Sequence, residues 1–149
     1  FRNHRLPKSS GLLGDVKMTV TQINAGTQHN VIPDSCSYVV DVRSNECYSN
    51  GELLDIIKSN VKSEVNARST RLNSSSIAPD HPLVKRAVEL GRKPYGSPTL
   101  SNQALIGVPT LKIGPGDTSR SHTANEYVLV SEIREGMQLF ASMLDGLKI

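Results

Sequence analysis

The residues best suited to chemistry lie in one stretch, Gly114-Pro115-Gly116-Asp117-Thr118-Ser119-Arg120-Ser121-His122-Thr123-Ala124-Asn125-Glu126. It offers glycines, hydroxyls, carboxylates, a guanidinium and an imidazole. The glycines let the backbone approach a ligand closely, and amides exposed there can hold an anion. Asp117 suits a turn better than a metal ion. His122 is the candidate metal ligand, although an imidazole in such a loop serves equally well as a structural hydrogen-bonding group. The four histidines, His4, His29, His81 and His122, include no pair three or four residues apart, so spacing alone does not define a metal centre. Two more candidates lie upstream. The Asn30 amide stabilises a turn or reaches a substrate, and Arg43 is a surface charge or a two-pronged grip for a carboxylate.

The elements around these groups follow from pattern. Val108-Pro109-Thr110-Leu111-Lys112-Ile113 reads as a buried strand, and a helix capped by Ser131 follows, with Glu132 and Glu135 in its first turn. Its stripe is Ile133, Met137, Phe140, Leu144 and Leu147. The focal stretch is thus a strand-to-helix loop, where a rigid scaffold can present free side chains. Earlier, Val16 to Ala25 and Ser35 to Arg43 alternate as strands close enough to pair antiparallel. Ser49-Asn50-Gly51-Glu52 has capping-box spacing and opens a helix with Leu53, Leu54, Ile57, Val61 and Val65 on one stripe. A further strand is expected around Arg71-Leu72-Asn73. After Ser74-Ser75-Ser76, Asp80 caps a helix with Pro82 in its first turn and Leu83, Val84, Ala87 and Val88 on its apolar side. A short helix ends near Gly107. Composition shifts at the serine run, giving two units, 1–75 and 76–149. The first is of α+β type and the second of α/β type.

Composition narrows the function classes. With 37% hydrophobic and 21% charged residues and no long apolar run, a water-soluble protein is expected, with no membrane partner. The net charge of +3 is scattered and aromatics are only 4%, which argues against nucleic acid. Cys36 and Cys47 suit reduced thiols in a cytoplasmic protein. A first residue of Phe1, with no initiator Met or signal pattern, reads as a piece of a longer chain.

Three motifs in order resemble the zinc-dependent aminoacylase and deacetylase metallopeptidases. Gly26-Thr27 with Asn30-Val31-Ile32-Pro33-Asp34 is similar to an element of their lid domain, and Asp41-Val42-Arg43 resembles the D-x-R that follows it. Gly114-Pro115-Gly116 with His122-Thr123-Ala124-Asn125-Glu126 resembles their GPG and HT-x-x-E signature. Ser97-Pro98-Thr99-Leu100-Ser101 and Arg120-Ser121-His122-Thr123 are most similar to the acetylornithine deacetylase type. Asn102 and Asn125 depart from it by lacking an acidic charge.

The resemblance implies part of a ferredoxin-like, dimer-forming lid followed by the C-terminal portion of an α/β zinc-peptidase catalytic domain. It implies a homodimer and cytoplasmic arginine biosynthesis. The activity would be metal-dependent hydrolysis of an N-acyl amino acid, N-acetylornithine or a relative such as N-acetylcitrulline or a succinylated analogue. His122 would be the last ligand of a two-zinc site, with cobalt or manganese as alternatives. Asn30, Arg43, Gly114 and Gly116 would meet the substrate. The remaining metal ligands, the glutamate base and a lid histidine would lie upstream of Phe1, leaving this chain inactive alone. The alternative is a non-catalytic, dimer-forming module that binds an amino-acid-like anion.

Overall fold

The computed structural model describes residues 4–148. They gather into two compact units. One runs through Ser74 and takes in Gly96–Leu105; the other contains Ser75–Tyr95 and the chain from Ile106 onward. The whole is mixed α and β.

The first unit is built on an antiparallel hairpin of β1, Lys17–Ala25, and β2, Cys36–Arg43. β-branched residues favour the pleat, and the register pairs Lys17 with Arg43 and Ala25 with Cys36. It slips between Val20 and Gln22, where the Thr21 hydroxyl donates to the Val39 carbonyl at 3.4 Å. The connecting loop starts at Gly26, whose φ of 66° and closeness to Pro33 exclude a side chain: an added Cβ would lie 2.7 Å from the proline ring. No strand forms around Arg71-Leu72-Asn73, contrary to expectation. Asn50 takes up that segment instead, donating from its side chain to the Leu72 carbonyl at 2.7 Å and from its backbone to the Asn73 side chain at 2.8 Å.

Helix α1, Asn50–Asn60, begins in the expected capping box. Ser49 Oγ accepts the Glu52 N–H at 3.1 Å, and Glu52 Oε2 accepts the Ser49 N–H at 2.7 Å. The Ser49 N–H first, and then the Ser49 hydroxyl, which donates to the same oxygen at 2.9 Å, hold the Glu52 carboxyl below its usual range. The helix stops short of Val61 and Val65, so the expected stripe is too long. The Asn60 amide and Ser59 hydroxyl cap the Ile56 carbonyl, and Val61 is already extended. Leu53 and Tyr48 are buried beside two polar residues, Ser10 and Asn45. Both polar groups are satisfied. Asn45 donates to the Gly14 carbonyl at 2.8 Å and accepts from the Cys47 N–H at 3.1 Å, while Ser10 Oγ accepts from Leu12 and Leu13.

In the second unit α2, Pro82–Glu89, packs with α3, Val130–Leu144. His81, not Asp80, caps α2: its Nδ1 accepts the Leu83 N–H at 3.2 Å, and Pro82 occupies the first position, where an N–H is dispensable. Val84 and Ala87 are buried, while Val88 is half exposed. The start of α3 also differs. Leu129 is the capping residue, and Glu132 Oε2 reaches back to its N–H at 2.8 Å, so the Ser131 hydroxyl is not the cap. The helix turns a different side inward as well. Gly136 and Met143 are buried, whereas the expected core stripe has Met137 69% and Leu144 60% exposed. The Arg86 guanidinium donates to the Asp145 carbonyl at 3.1 Å, at the negative end of α3.

The expected buried strand Val108–Ile113 does not form. A strand needs a neighbour to pair with, and β1 and β2 make up the sheet among the described residues. The Thr110 N–H donates to the Ser76 carbonyl at 3.3 Å, and Val108 is 64% exposed.

Candidate functional site

The loop before α3 is held by its own side chains. Gly116 has φ 85°, and a Cβ there would come within 3.3 Å of Val128 Cγ2. Glycine meets both demands. Pro115 lies against Gly136, where an added Cβ would stand 3.2 Å from the ring, so α3 carries no side chain at its contact with the Gly114-Pro115-Gly116 turn. Asp117 Oδ1 then accepts the Ser119 N–H at 2.8 Å and opens a short 3₁₀ turn over Thr118–Arg120. That bond holds the Asp117 carboxyl below its usual range. Asp117 is thus the turn residue expected of it.

Arg120 is the loop's anchor to α3. Its Nη2 pairs with Glu132 Oε1, and its guanidinium lies 4.7 Å from the centre of the Tyr127 ring. Both side chains of the ion pair are largely covered, 17% and 23% exposed. The pairing raises the Arg120 pKa and, with the Leu129 N–H, holds the Glu132 carboxyl low. Sequence reasoning gave this pair no role. Its signal was the position of Glu132 three residues after the cap, where a carboxylate can serve both a helix N-terminus and a neighbouring cation.

His122 follows in a left-handed backbone conformation, φ 61°, which no other described non-glycine residue adopts. Its N–H donates to Glu126 Oε2 at 3.0 Å, and the Ser121 hydroxyl donates to Glu126 Oε1 at 3.4 Å. Thr123 Oγ1 donates to the Arg120 carbonyl at 2.8 Å. His122 is exposed, and its ring has no hydrogen-bond partner among the described residues. An unengaged imidazole nitrogen is what metal ligation needs, so His122 fits as one ligand. Among the described residues no three His, Cys, Asp or Glu side chains are grouped to hold an ion.

Arg92, Gly114, Gly116, Glu132 and Glu135 help line a small cavity of about 130 Å³. A wider depression of about 360 Å³ runs beside α2 between Asp80, Lys85, Arg86 and Glu89, where charges of both signs compensate one another. Neither holds His122.

The other candidates belong to the first unit. Asn30 is exposed in the loop between β1 and β2. Arg43 ends β2, and its Nε donates to Asp41 Oδ2 at 2.7 Å with its side chain 68% exposed. The two residues of the D-x-R motif are thus paired with each other, and a ligand carboxylate at Arg43 would compete with Asp41 or use the remaining guanidinium nitrogens. Cys36 and Cys47 are free thiols.

Residues 4–71 match the peptidase dimerisation domain. This part of the chain is therefore of the dimerisation, or lid, type. Two relatives, from Mycobacterium tuberculosis strains CDC 1551 / Oshkosh and ATCC 25618 / H37Rv, carry the provisional name succinyl-diaminopimelate desuccinylase DapE. Each is 27% identical over 135 residues. The alignment takes in 87% of this chain and 38% of each relative, so the chain spans well under half their length.

Proposed function

We propose that the full-length protein carrying this chain hydrolyses the amide bond of an N-acyl amino acid. The observation that carries this reading is that one chain combines a peptidase dimerisation domain with a loop presenting an unengaged imidazole at His122. In this reading 1–75 is part of the lid and 76–149 the C-terminal part of the catalytic domain. Subunits pair through the lid in a cytoplasmic homodimer. No described helix is long and apolar enough to cross a membrane.

His122 would be one ligand of a zinc site, cobalt or manganese serving as alternatives. When bound, such a metal polarises an acyl carbonyl and makes a bound water acidic. Arg43 and Asn30 would bind the amino-acid carboxylate, and that binding positions the scissile amide. The turn from Gly114 to Gly116 would lie against the substrate, where its two glycines permit close approach.

Two substrates stand forward. Acetylornithine is favoured by the motif resemblance around His122, and the relatives' name favours a succinylated diamino acid, whose use would point to lysine and not arginine biosynthesis. Assaying the full-length protein with N-acetylornithine and N-succinyl-diaminopimelate side by side decides between them. Amine release from one, lost in His122→Ala, is the expected result. Release from neither, together with absence of metal, would leave the non-catalytic anion-binding module. Arg43→Ala should raise KM about ten- to a hundredfold, roughly the 1.5–3 kcal/mol of a charged hydrogen bond, with kcat little changed. An unaltered KM would make Arg43 a surface charge only.

A further inference from the structure

The left-handed backbone at His122 needs a cause. For an L-residue that conformation brings Cβ against the following carbonyl oxygen, and histidine has no glycine-like freedom to adopt it. Asn and Asp can repay the strain with their own short side chains, but the His122 ring makes no such bond among the described residues. The compensation comes from Glu126. One of its carboxylate oxygens accepts the His122 N–H at 3.0 Å, and the other accepts the Ser121 hydroxyl at 3.4 Å. No Lys or Arg among the described residues forms an ion pair with Glu126. Its charge is therefore directed at the loop itself, as a charge-assisted acceptor for two consecutive residues. Glu126 is exposed and packs into no core, so burial does not account for it.

We propose that Glu126 is a positioning residue: it clamps His122 in the left-handed conformation and so fixes the direction in which the imidazole leaves the loop. The sign of φ sets where Cβ points, and in the right-handed alternative the ring would leave on a different bearing. Loss of a group that orients a metal ligand commonly costs about ten- to a hundredfold in metal affinity or activity. Thr123 and Asp117 brace the flanks by accepting or donating within the turn, but neither touches the His122 backbone. This inference rests on His122 acting as a metal ligand.

The test uses the full-length protein in three forms, Glu126→Ala, Glu126→Gln and His122→Ala, with kcat, KM and the chelator concentration that strips half the metal as readouts. Glu126→Ala should lower kcat by about tenfold or more, leave KM within about twofold, and let the chelator act at about tenfold lower concentration. Glu126→Gln keeps an oxygen that accepts the His122 N–H and should return both readouts to within about threefold of the parent protein. A general loss of folding would not be rescued selectively in this way. The proposal is overturned if Glu126→Ala matches the parent in kcat and metal retention, or if glutamine behaves like alanine. Should Glu126→Ala not fold, Glu126→Asp replaces it: one methylene shorter, it should lose the clamp, and parent-like behaviour would overturn the proposal. The two readings fail differently. If His122→Ala keeps its metal and rate, the ligand assignment fails; if it loses both while Glu126→Ala loses neither, only the clamp fails.

Discussion

At the scale of single residues, this loop depends on carboxylates placed against its backbone and on one covered ion pair. Asp117, Glu126 and Glu132 each accept a backbone N–H, at Ser119, His122 and Leu129. Glu132 also binds Arg120, the largest cause of its lowered pKa, while the charge of Asp117 acts weakly in the opposite direction. A carboxyl whose pKa is lower folded than unfolded contributes stability above its unfolded value, and that contribution is lost as pH falls through the folded value. Acid should therefore loosen the join between loop and α3, in the window below the ordinary carboxylate range. Replacing Glu132 with glutamine should make the acid limb of a stability-against-pH curve shallower. An unchanged limb would mean that Arg120 and Glu132 are not coupled to folding.

At the scale of elements, local chemistry was the most legible part of the sequence. The Ser49–Glu52 capping box formed as its spacing predicts, and Ser49→Ala should cost about 1 kcal/mol, read as a lower denaturation midpoint. A loss near zero would mean that Asn50 and its partners hold that end of α1 without the serine. The hairpin was also legible, because alternation and a turn holding Gly26, Asn30, Pro33 and Asp34 are properties of consecutive residues. Errors arose where a neighbour decides. Periodicity gave α3 an apolar stripe but not the side that packs, and Gly136, too small to register in any stripe, is where Pro115 sits. The Val108–Ile113 segment is apolar enough for a strand, yet strand formation is a property of pairs. Asp80 and His81 can each cap, and the observed imidazole acceptor depends on which residue flanks Pro82 directly. In the site, the histidine and glycines were visible by type. The job of Glu126 was not, because its spacing from His122 becomes meaningful only once the loop turns left-handed.

At the scale of the whole molecule, much apolar surface remains uncovered. On α3, Met143 is 2% exposed and Met137 69%. The two should respond oppositely to truncation in the 149-residue chain. Met143→Ala should cost about 2–5 kcal/mol of unfolding free energy, whereas Met137→Gln should change it by less than about 0.5 kcal/mol. Equal effects would mean that the packed face of α3 is wrongly assigned. The same division applies to function. The chain supplies a dimerisation domain, a turn with a glycine on either side of Pro115 and an unengaged imidazole at His122, but among the described residues no assembled metal centre. The central claim is that His122 belongs to a metal site completed in the full-length protein. Metal content per subunit, measured on purified full-length protein and its His122→Ala variant, tests it most directly. The account predicts about two metal ions per subunit in the parent protein and the loss of one or both on substitution. Equal content in the two proteins, or none in the parent, would contradict it.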